Sequence, residues 1–285
     1  MTNKQEKTRG RKVVKWMYGV AVMTGLAWLS SCAHEGHFSD THSFGSPITA
    51  RTPLKPGSAM PAKPKSPEKA DVKPAEERPG LATGFGKQIN DEWEKKSFVR
   101  DGSKPKGTGV IYYNDREGVN AMTGYKYRVG ALQKSAGEMV EWGIKGRVGY
   151  LSSYRSRSRR FAVGSAGSPY SIVVKNRCRS QVEVVLSVDG LDVIDGKPAS
   201  FSKRGYVIGA GETLEVKGWR TGWDSVARFE FSSVGESFAN RRHGNARNVG
   251  VIGLAVFGEK GVDPWKWMPN EVNNRRTASP FAEAP

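Results

Sequence analysis

The stretch QVEVVLSVDG, residues 181–190, carries the pattern that decides the predicted fold. Its apolar side chains recur at every second position, namely Val182, Val184, Leu186 and Val188. Only Val185 interrupts the polar positions between them. Because successive side chains of a strand point to opposite faces, this period of two predicts a half-buried β-strand. Asp189-Gly190 then predicts a tight hairpin turn, since Asp and Gly tolerate positive φ angles.

The same period of two recurs on both sides of this stretch. The alternating apolar sets are Tyr170, Ile172 and Val174; Tyr206 and Ile208; Leu214 and Val216; and Ala227, Phe229 and Phe231. Residues 249–258, VGVIGLAVFG, are apolar on both faces and predict a central strand. About seven strands with turn residues every ~8–12 positions are typical of an antiparallel sandwich. We therefore predict a mainly β fold, an immunoglobulin-like or jelly-roll-like antiparallel β-sandwich over residues 166–260.

The chain outside residues 166–260 divides into four further segments, two of which flank the predicted sandwich. Residues 87–165 predict an irregular segment, with a short helix at 87–98 and a strand at 109–114. Residues 261–285 predict a tail that packs its tryptophans on the sandwich and then frays. No helical segment of useful length alternates with the strands, so a doubly wound nucleotide-binding sheet is disfavoured.

Residues 32–86 have the composition of a disordered, Pro-rich tether. Eight of the 15 prolines fall between Pro47 and Pro79, among Lys, Ser and Ala. Such a segment buries too little apolar area to offset the entropy lost on ordering. We predict a semi-rigid, partly polyproline-like spacer.

Residues 1–31 have the layout of a secretory signal peptide. Six basic residues and one acidic residue fall within positions 1–15, and 14 uncharged residues follow at positions 16–29. A membrane-spanning helix needs ~20 apolar residues, so this run is short for one. An uncleaved membrane anchor is the alternative interpretation.

The residues Leu29-Ser30-Ser31-Cys32 end this segment and resemble the lipobox of bacterial lipoproteins. The resemblance implies removal of residues 1–31 and lipidation of Cys32, with acyl chains such as palmitate. Ala33 follows the cysteine instead of Asp, which by the enterobacterial sorting rule implies the outer membrane. The predicted location is therefore the bacterial cell envelope, with the folded part in the periplasm or at the cell surface. Removing residues 1–31 would lower the formal charge from +17 to +12, which is still strongly basic.

Two groups of arginines are the predicted anion- or partner-binding residues. They are Arg155, Arg157, Arg159 and Arg160, and then Arg241, Arg242 and Arg247. On a single strand, positions 155, 157 and 159 would share one face. Because arginine binds phosphate groups well, the predicted partner is an anionic envelope polymer or an envelope protein. The export signal disfavours nucleic acid, and protection of an edge strand from aggregation is the alternative role.

No metal ion or cofactor is predicted, although two groups of residues carry suitable ligand atoms. The first group is His34, His37 and His42 with Glu35 and Asp40. These residues fall in the predicted tether, which lacks the fixed geometry of a metal site. The second group is Asp189, Asp192 and Asp195. Calcium is the alternative there, but the two Asp-Gly pairs are already explained as turns.

A catalytic site is the weaker alternative. Cys178 lies beside Arg177 and Arg179, which would lower its pKa, but a structural thiol is favoured because no His is near it in sequence. His243 is the only His of the predicted sandwich, and no Gly-x-Ser-x-Gly pattern occurs. The tryptophans that would form a sugar-stacking or docking surface, if exposed, are Trp219, Trp223, Trp265 and Trp267. We therefore favour a non-catalytic binding or assembly module, with an envelope hydrolase around His243 or Cys178 as the alternative.

Overall fold

A computed structural model describes residues 78–281, which form two β-sheets and three short helices. The predicted mainly β class is confirmed. The strands are β1 (Leu81–Asn90), β2 (Gly107–Asn114), β3 (Arg128–Val129), β4 (Gln133–Ser135), β5 (Val140–Lys145), β6 (Ser153–Ser156), β7 (Arg159–Val163), β8 (Pro169–Asn176), β9 (Val182–Val188), β10 (Leu191–Asp192), β11 (Tyr206–Ile208), β12 (Thr213–Val216), β13 (Gly218–Arg220), β14 (Ser225–Ser233) and β15 (Val251–Gly258). The helices are α1 (Arg116–Thr123), α2 (Phe238–His243) and α3 (Pro269–Arg276). The predicted signal peptide, Cys32 and most of the predicted tether lie outside the described residues.

The first sheet has seven strands, with β1, β14, β8, β5 and β4 in that order. β12 pairs with β8, and β13 pairs with β14. Each of these pairs is antiparallel.

The second sheet has eight strands, with β10, β9, β15, β2, β7, β6 and β3 in that order, and β11 paired with β9. β2 and β7 run parallel, whereas the other pairs of this sheet are antiparallel. β15 lies between β9 and β2, and its Leu254 is opposite Leu186 on one side and Gly109 on the other. The predicted central strand is therefore confirmed.

The two sheets pack face to face in a sandwich-like arrangement. Tyr113 of the second sheet lies 5.3 Å from Phe231 of the first, measured between ring centroids. The largest side chains of this core are Trp142 and Trp219, which are fully buried. The apolar residues that alternate along β9 belong to the same core.

The opposite face of β9 is also covered, so the strand is more buried than its alternation predicts. Val185 packs there in a second apolar cluster with Phe98 and Phe257. Glu183, also on this face, is 1% exposed and accepts a hydrogen bond from Arg100 at 2.7 Å. The interruption of the alternation at Val185 therefore has a structural cause, because both faces of this strand need apolar contacts.

Three sequence-based assignments before residue 166 are wrong. Residues 81–86, predicted as the end of the tether, belong to β1. Residues 87–98 contain no helix, because the first four complete β1 and the rest are irregular. The strands between residues 87 and 165 are not a separate segment, since the end of β1 pairs with β14, β2 pairs with β15 and β5 pairs with β8.

The segment after β15 buries Pro264 and Met268, and Met268 is 4% exposed and belongs to the main core, whereas Trp265 and Trp267 stay 40% and 48% exposed. It continues into α3, which buries none of its residues. Within residues 78–281 there is no helix of the length and apolar character that a membrane crossing requires.

Candidate anion-binding groove

The first predicted arginine group lies on a hairpin rather than on one strand. Arg155 belongs to β6, Arg159 and Arg160 belong to β7, and Arg157 lies in the turn between them with φ 54°. Arg155 is opposite Arg160 in the ladder. The predicted common face for positions 155, 157 and 159 is therefore wrong, because the chain reverses at Arg157.

The contacts of this group distinguish Arg160, which has a structural role, from three exposed arginines. Arg160 donates to the carbonyls of Gly130 and Leu132, at 2.5 and 3.2 Å, and thereby holds a neighbouring loop. Burial lowers the pKa of its guanidinium. Arg159 lies 5.4 Å above the ring of Tyr112. Arg155, Arg157 and Arg159 are exposed.

The second predicted group lies on α2 and the turn after it. Arg241 forms an ion pair with Glu236 at 2.9 Å, and Arg242 lies 5.6 Å from the ring of Phe238. Arg247 is exposed. The carboxylate of Glu236 partly offsets the positive charge of this group.

A more concave basic surface lies elsewhere, in a groove of about 900 Å³. One wall is the turn after β8, with Arg177, Cys178 and Arg179, and another is the Ala210-Gly211 turn between β11 and β12. The third wall is the C-terminal segment, whose contributing residues are Trp267, Pro269, Val272, Asn273 and Arg276. We call this surface the basic groove. Its lining holds three arginines and no acidic residue.

Asn176, the last residue of β8, joins two walls of the basic groove. Its side chain is fully buried and donates to the carbonyls of Ser180, Ile208 and Gly209, at 2.8, 3.1 and 2.8 Å. Its oxygen accepts the backbone N–H of Cys178 at 2.8 Å. One amide group therefore fixes the turn after β8 against the end of β11.

Met268 anchors the third wall by inserting into the core, and Pro269 begins α3 directly after it. Trp267, immediately before the anchor, has φ 62° and leaves 48% of its surface exposed. The amide of Asn270 donates to Glu138 at 3.3 Å and ties the start of α3 to the turn before β5.

The three arginines of the basic groove retain unused hydrogen-bonding capacity. The Nε atom of Arg177 is buried with no hydrogen-bond partner among the described residues. Its Nη1 lies 3.4 Å from a carboxylate oxygen of Glu141, a long ion pair. Arg179 and Arg276 are exposed and form no ion pair with any residue in the range 78–281. The unpaired guanidinium groups of Arg179 and Arg276, beside a concave surface without acidic lining residues, favour an anionic ligand.

Cys178 lies in the lining of the groove, but its environment disfavours nucleophilic chemistry. Its side chain is 2% exposed, and its sulfur lies 3.6 Å from the carbonyl oxygen of Met139. Burial raises the pKa of the thiol to about 11. The predicted lowering by Arg177 and Arg179 is therefore wrong, because burial disfavours the charged form of the thiol. His243 is occupied elsewhere, with Nε2 2.9 Å from the carbonyl oxygen of Gly196.

The predicted aspartate cluster separates into turns, and one of its carboxylates lies within the core. Asp189 and Gly190 have φ 52° and 80°, as the predicted hairpin requires. The buried carboxylate of Asp189 accepts hydrogen bonds from Tyr113 at 2.6 Å, Thr83 N–H at 2.7 Å and Gly250 N–H at 2.9 Å. Within residues 78–281, no group of three or more His, Cys, Asp or Glu residues could hold a metal ion.

A second buried polar cluster joins the irregular segment after β1 to the sandwich. Arg220 is 4% exposed and donates to the carboxylate of Asp91 at 2.9 Å, with its guanidinium 5.5 Å from the ring of Trp93. Asp192 Oδ2 is buried and has no partner among the described residues. Burial raises the pKa of Asp192 to about 6 and also raises the pKa of Tyr206. We assign this cluster a structural role because it holds the Asp91 segment in place.

The four predicted tryptophans do not form one surface. Trp219 is fully buried against Phe229 and Phe238. The others are exposed, and only Trp267 joins the arginines of the basic groove. Sequence reasoning missed Trp267 and Arg276 as partners of Arg177 and Arg179 because about 90 residues separate the two sets. The detectable signal was the combination of tryptophans and arginines in a tail otherwise poor in apolar residues.

Comparison of the chain with known proteins found no matching family model, no matching characterised protein and no matching solved structure.

Proposed function

We propose that this chain is a membrane-anchored envelope lipoprotein whose basic groove binds an anionic envelope polymer or the anionic surface of a partner protein. The observation that carries the binding proposal is the acid-free groove lined by Arg177, Arg179 and Arg276. The anchoring proposal is supported by the resemblance of residues 29–32 to a lipobox. The finer description of the sandwich, immunoglobulin-like or jelly-roll-like, also remains a proposal, supported by its mostly antiparallel pairing.

Groove geometry favours phosphate-bearing ligands over other partners. Planar guanidinium groups bind phosphate oxygens through paired hydrogen bonds, each stronger than a bond between neutral groups. Concave walls concentrate the positive potential of the three arginines. A volume of about 900 Å³ also lies within the range of small-molecule sites, ~300–1,000 Å³. A non-catalytic binding role needs no further chemistry from these residues.

The two predicted arginine groups take a supporting role in this proposal. Arg155 and Arg157 are exposed on the β6–β7 hairpin, and Arg241, Arg242 and Arg247 surround the end of α2. Exposed charges of this kind accelerate the approach of an anionic partner and are sensitive to salt. They would contribute less to the final affinity than the three groove arginines, which act together around one concave surface.

The test is binding of the full-length protein to lipopolysaccharide and to lipoteichoic acid, measured by titration calorimetry. The double charge reversal Arg179→Glu with Arg276→Glu should weaken binding by at least about tenfold, since charge-assisted hydrogen bonds are lost. Raising the salt from ~0.01 M to ~0.1 M should weaken binding by the unaltered protein, because the Debye length falls from ~30 to ~10 Å.

The matched control is Lys197→Glu with Lys260→Glu, which changes the net charge equally at two exposed positions outside the groove. It should weaken binding far less than the groove reversal. Equal losses from both double variants would show that only the net charge matters. A larger loss from Arg155→Glu with Arg157→Glu would move the site to the hairpin.

A further inference from the structure

We propose that the basic groove recognises a phosphorylated sugar ring, with Trp267 stacking on the ring while the groove arginines bind the phosphate. This inference rests on the proposed anion-binding function and adds the chemical class of the ligand. It assigns Trp267 the role of a specificity-determining residue.

The backbone of Trp267 is the first observation. Its φ of 62° lies in the left-handed region, which a bulky residue other than glycine seldom adopts. This conformation has an energetic cost, and such outliers persist where the surrounding structure enforces them. Here the enforcing contact is Met268, the next residue, which is buried in the core.

The exposure of the indole is the second observation. Trp267 leaves 48% of its surface accessible, so the unfavourable backbone conformation does not serve to bury the side chain. The conformation instead places the indole on the wall of the groove. An exposed aromatic plane on a groove wall is suited to stacking on a flat apolar surface.

The composition of the lining is the third observation. The C-terminal wall supplies an apolar area through Trp267, Pro269 and Val272. The turn after β8 supplies positive charge through Arg177 and Arg179. A bare phosphate ion would leave the apolar area unused and would fill little of about 900 Å³. The faces of a pyranose ring carry C–H groups that pack on an indole, and its phosphate group matches the arginines.

The hydroxyl groups of the sugar also have a nearby partner. Asn273 lies in the lining, its backbone carbonyl accepts the hydrogen bonds of the helix end from Thr277, and its side-chain amide makes no hydrogen bond to any residue in the range 78–281. An amide offers both donors and an acceptor to hydroxyl groups. A purine base would also stack on the indole, so a nucleotide is the competing ligand and becomes an outcome of the test.

The experiment compares four ligands on the full-length protein by titration calorimetry: inorganic phosphate, glycerol phosphate, glucosamine phosphate and adenosine monophosphate. Glycerol phosphate represents polyol-phosphate polymers and has no ring, whereas glucosamine phosphate represents the headgroup of lipopolysaccharide. Glucosamine phosphate should bind about tenfold more tightly than glycerol phosphate, the size of effect expected for one aromatic contact.

Trp267→Gly should abolish this tenfold advantage and leave the affinity for inorganic phosphate unchanged. Glycine also relieves the left-handed strain, so the thermal midpoint should not fall. Trp267→Asn, which also tolerates positive φ, replaces the glycine variant if that chain fails to fold. Trp223→Ala is the matched control, because Trp223 has the same 48% exposure outside the groove and its loss should alter no affinity.

Three results would overturn the inference. The first is equal affinity of the unaltered protein for glycerol phosphate and glucosamine phosphate, which would leave an anion groove without ring recognition. The second is tighter binding of adenosine monophosphate than of glucosamine phosphate. The third is a parallel loss of all ligands in Trp267→Gly, which would show a structural role. If no ligand binds the unaltered protein, including inorganic phosphate, the proposed anion-binding function falls as well.

Discussion

Asp189 shows how one residue can serve both local and long-range structure. Its backbone forms the hairpin turn after β9, while its carboxylate binds groups from β1, β2 and the turn before β15. Thr83 extends this network, because its hydroxyl lies 2.7 Å from the hydroxyls of both Tyr113 and Tyr170. Burial raises the pKa of the Asp189 carboxyl to about 6, and the hydrogen bonds that it accepts act in the opposite direction.

This shift predicts how the free energy of unfolding changes with pH. The folded pKa is above the unfolded value of ~3.9, so the native state binds the proton more tightly. Protonation of Asp189 therefore adds stability that is complete below pH ~4 and is lost as the pH rises through ~6. The size of this contribution is about 3 kcal/mol.

We expect Asp189→Asn to remove this dependence. The unfolding free energies of the unaltered protein and of Asp189→Asn should be measured by urea denaturation from pH ~4 to ~7. As the pH rises, only the unaltered protein loses the contribution of Asp189, so the difference between the two should shrink by up to about 3 kcal/mol. The variant should be less stable at pH ~4, because an amide cannot accept from Tyr113, Gly250 and Thr83 together. Asp224→Asn, at an exposed aspartate, is the control. A constant difference across this pH range would contradict the assigned pKa.

At this scale the sequence predicts backbone roles better than side-chain environments. The positive φ angles of Asp189 and Gly190 follow from their residue types alone. The partners of the Asp189 carboxylate do not, because Thr83 is 106 positions away in the chain. The pKa of Cys178 was predicted in the wrong direction for the same reason, since burial is set by the fold and not by neighbouring arginines.

Among the elements, the two turns joined by Asn176 determine the shape of the basic groove. Asn176→Ala should destabilise the protein by ~2–4 kcal/mol, because three carbonyls and one N–H lose their partner inside the protein. Chemical denaturation measures this loss. Affinity for anionic ligands should fall in the same variant, since Arg177 and Arg179 lie on a released turn.

The control for this prediction is Asn274→Ala on α3, which removes an exposed amide and should change stability by less than ~0.5 kcal/mol. A comparably small effect of Asn176→Ala would refute the conclusion that Asn176 holds the turn after β8 against the end of β11. Asn176→Asp keeps the acceptor for Cys178 N–H and removes the donors, so its stability separates the two contributions.

Period-two strands were predictable at the scale of elements, whereas segments shaped by tertiary contacts were not. β8, β9 and β14 follow their alternating apolar residues. Residues 91–98 have helix-forming composition, yet Asp91 is held by Arg220 and Phe98 is buried under the second sheet. These contacts stabilise an irregular path, and a local pattern carries no information about them.

For the whole molecule, the proposed anchor predicts where the protein is found. Cys32→Ala should move the full-length protein from the membrane fraction to the soluble fraction of cells, because alanine has no thiol to carry the acyl chains on which the proposed attachment depends. Fractionation followed by intact mass measurement checks both the location and the loss of acyl mass.

Cys178→Ala is the matched control for this prediction, since it removes the other cysteine of the chain and should leave the location unchanged. Retention of Cys32→Ala in the membrane fraction, at the mass of an uncleaved chain, would support the uncleaved anchor instead.

The attachment of α3 has a consequence for how binding selectivity can change in evolution. Met268 is the buried anchor of the C-terminal wall, while the eight residues of α3 contribute nothing to the core. Substitutions along this helix can therefore accumulate without threatening the folding of the sandwich. The sequence of this wall can diverge while the sandwich is conserved, so related chains can acquire different ligands through changes in a single short helix.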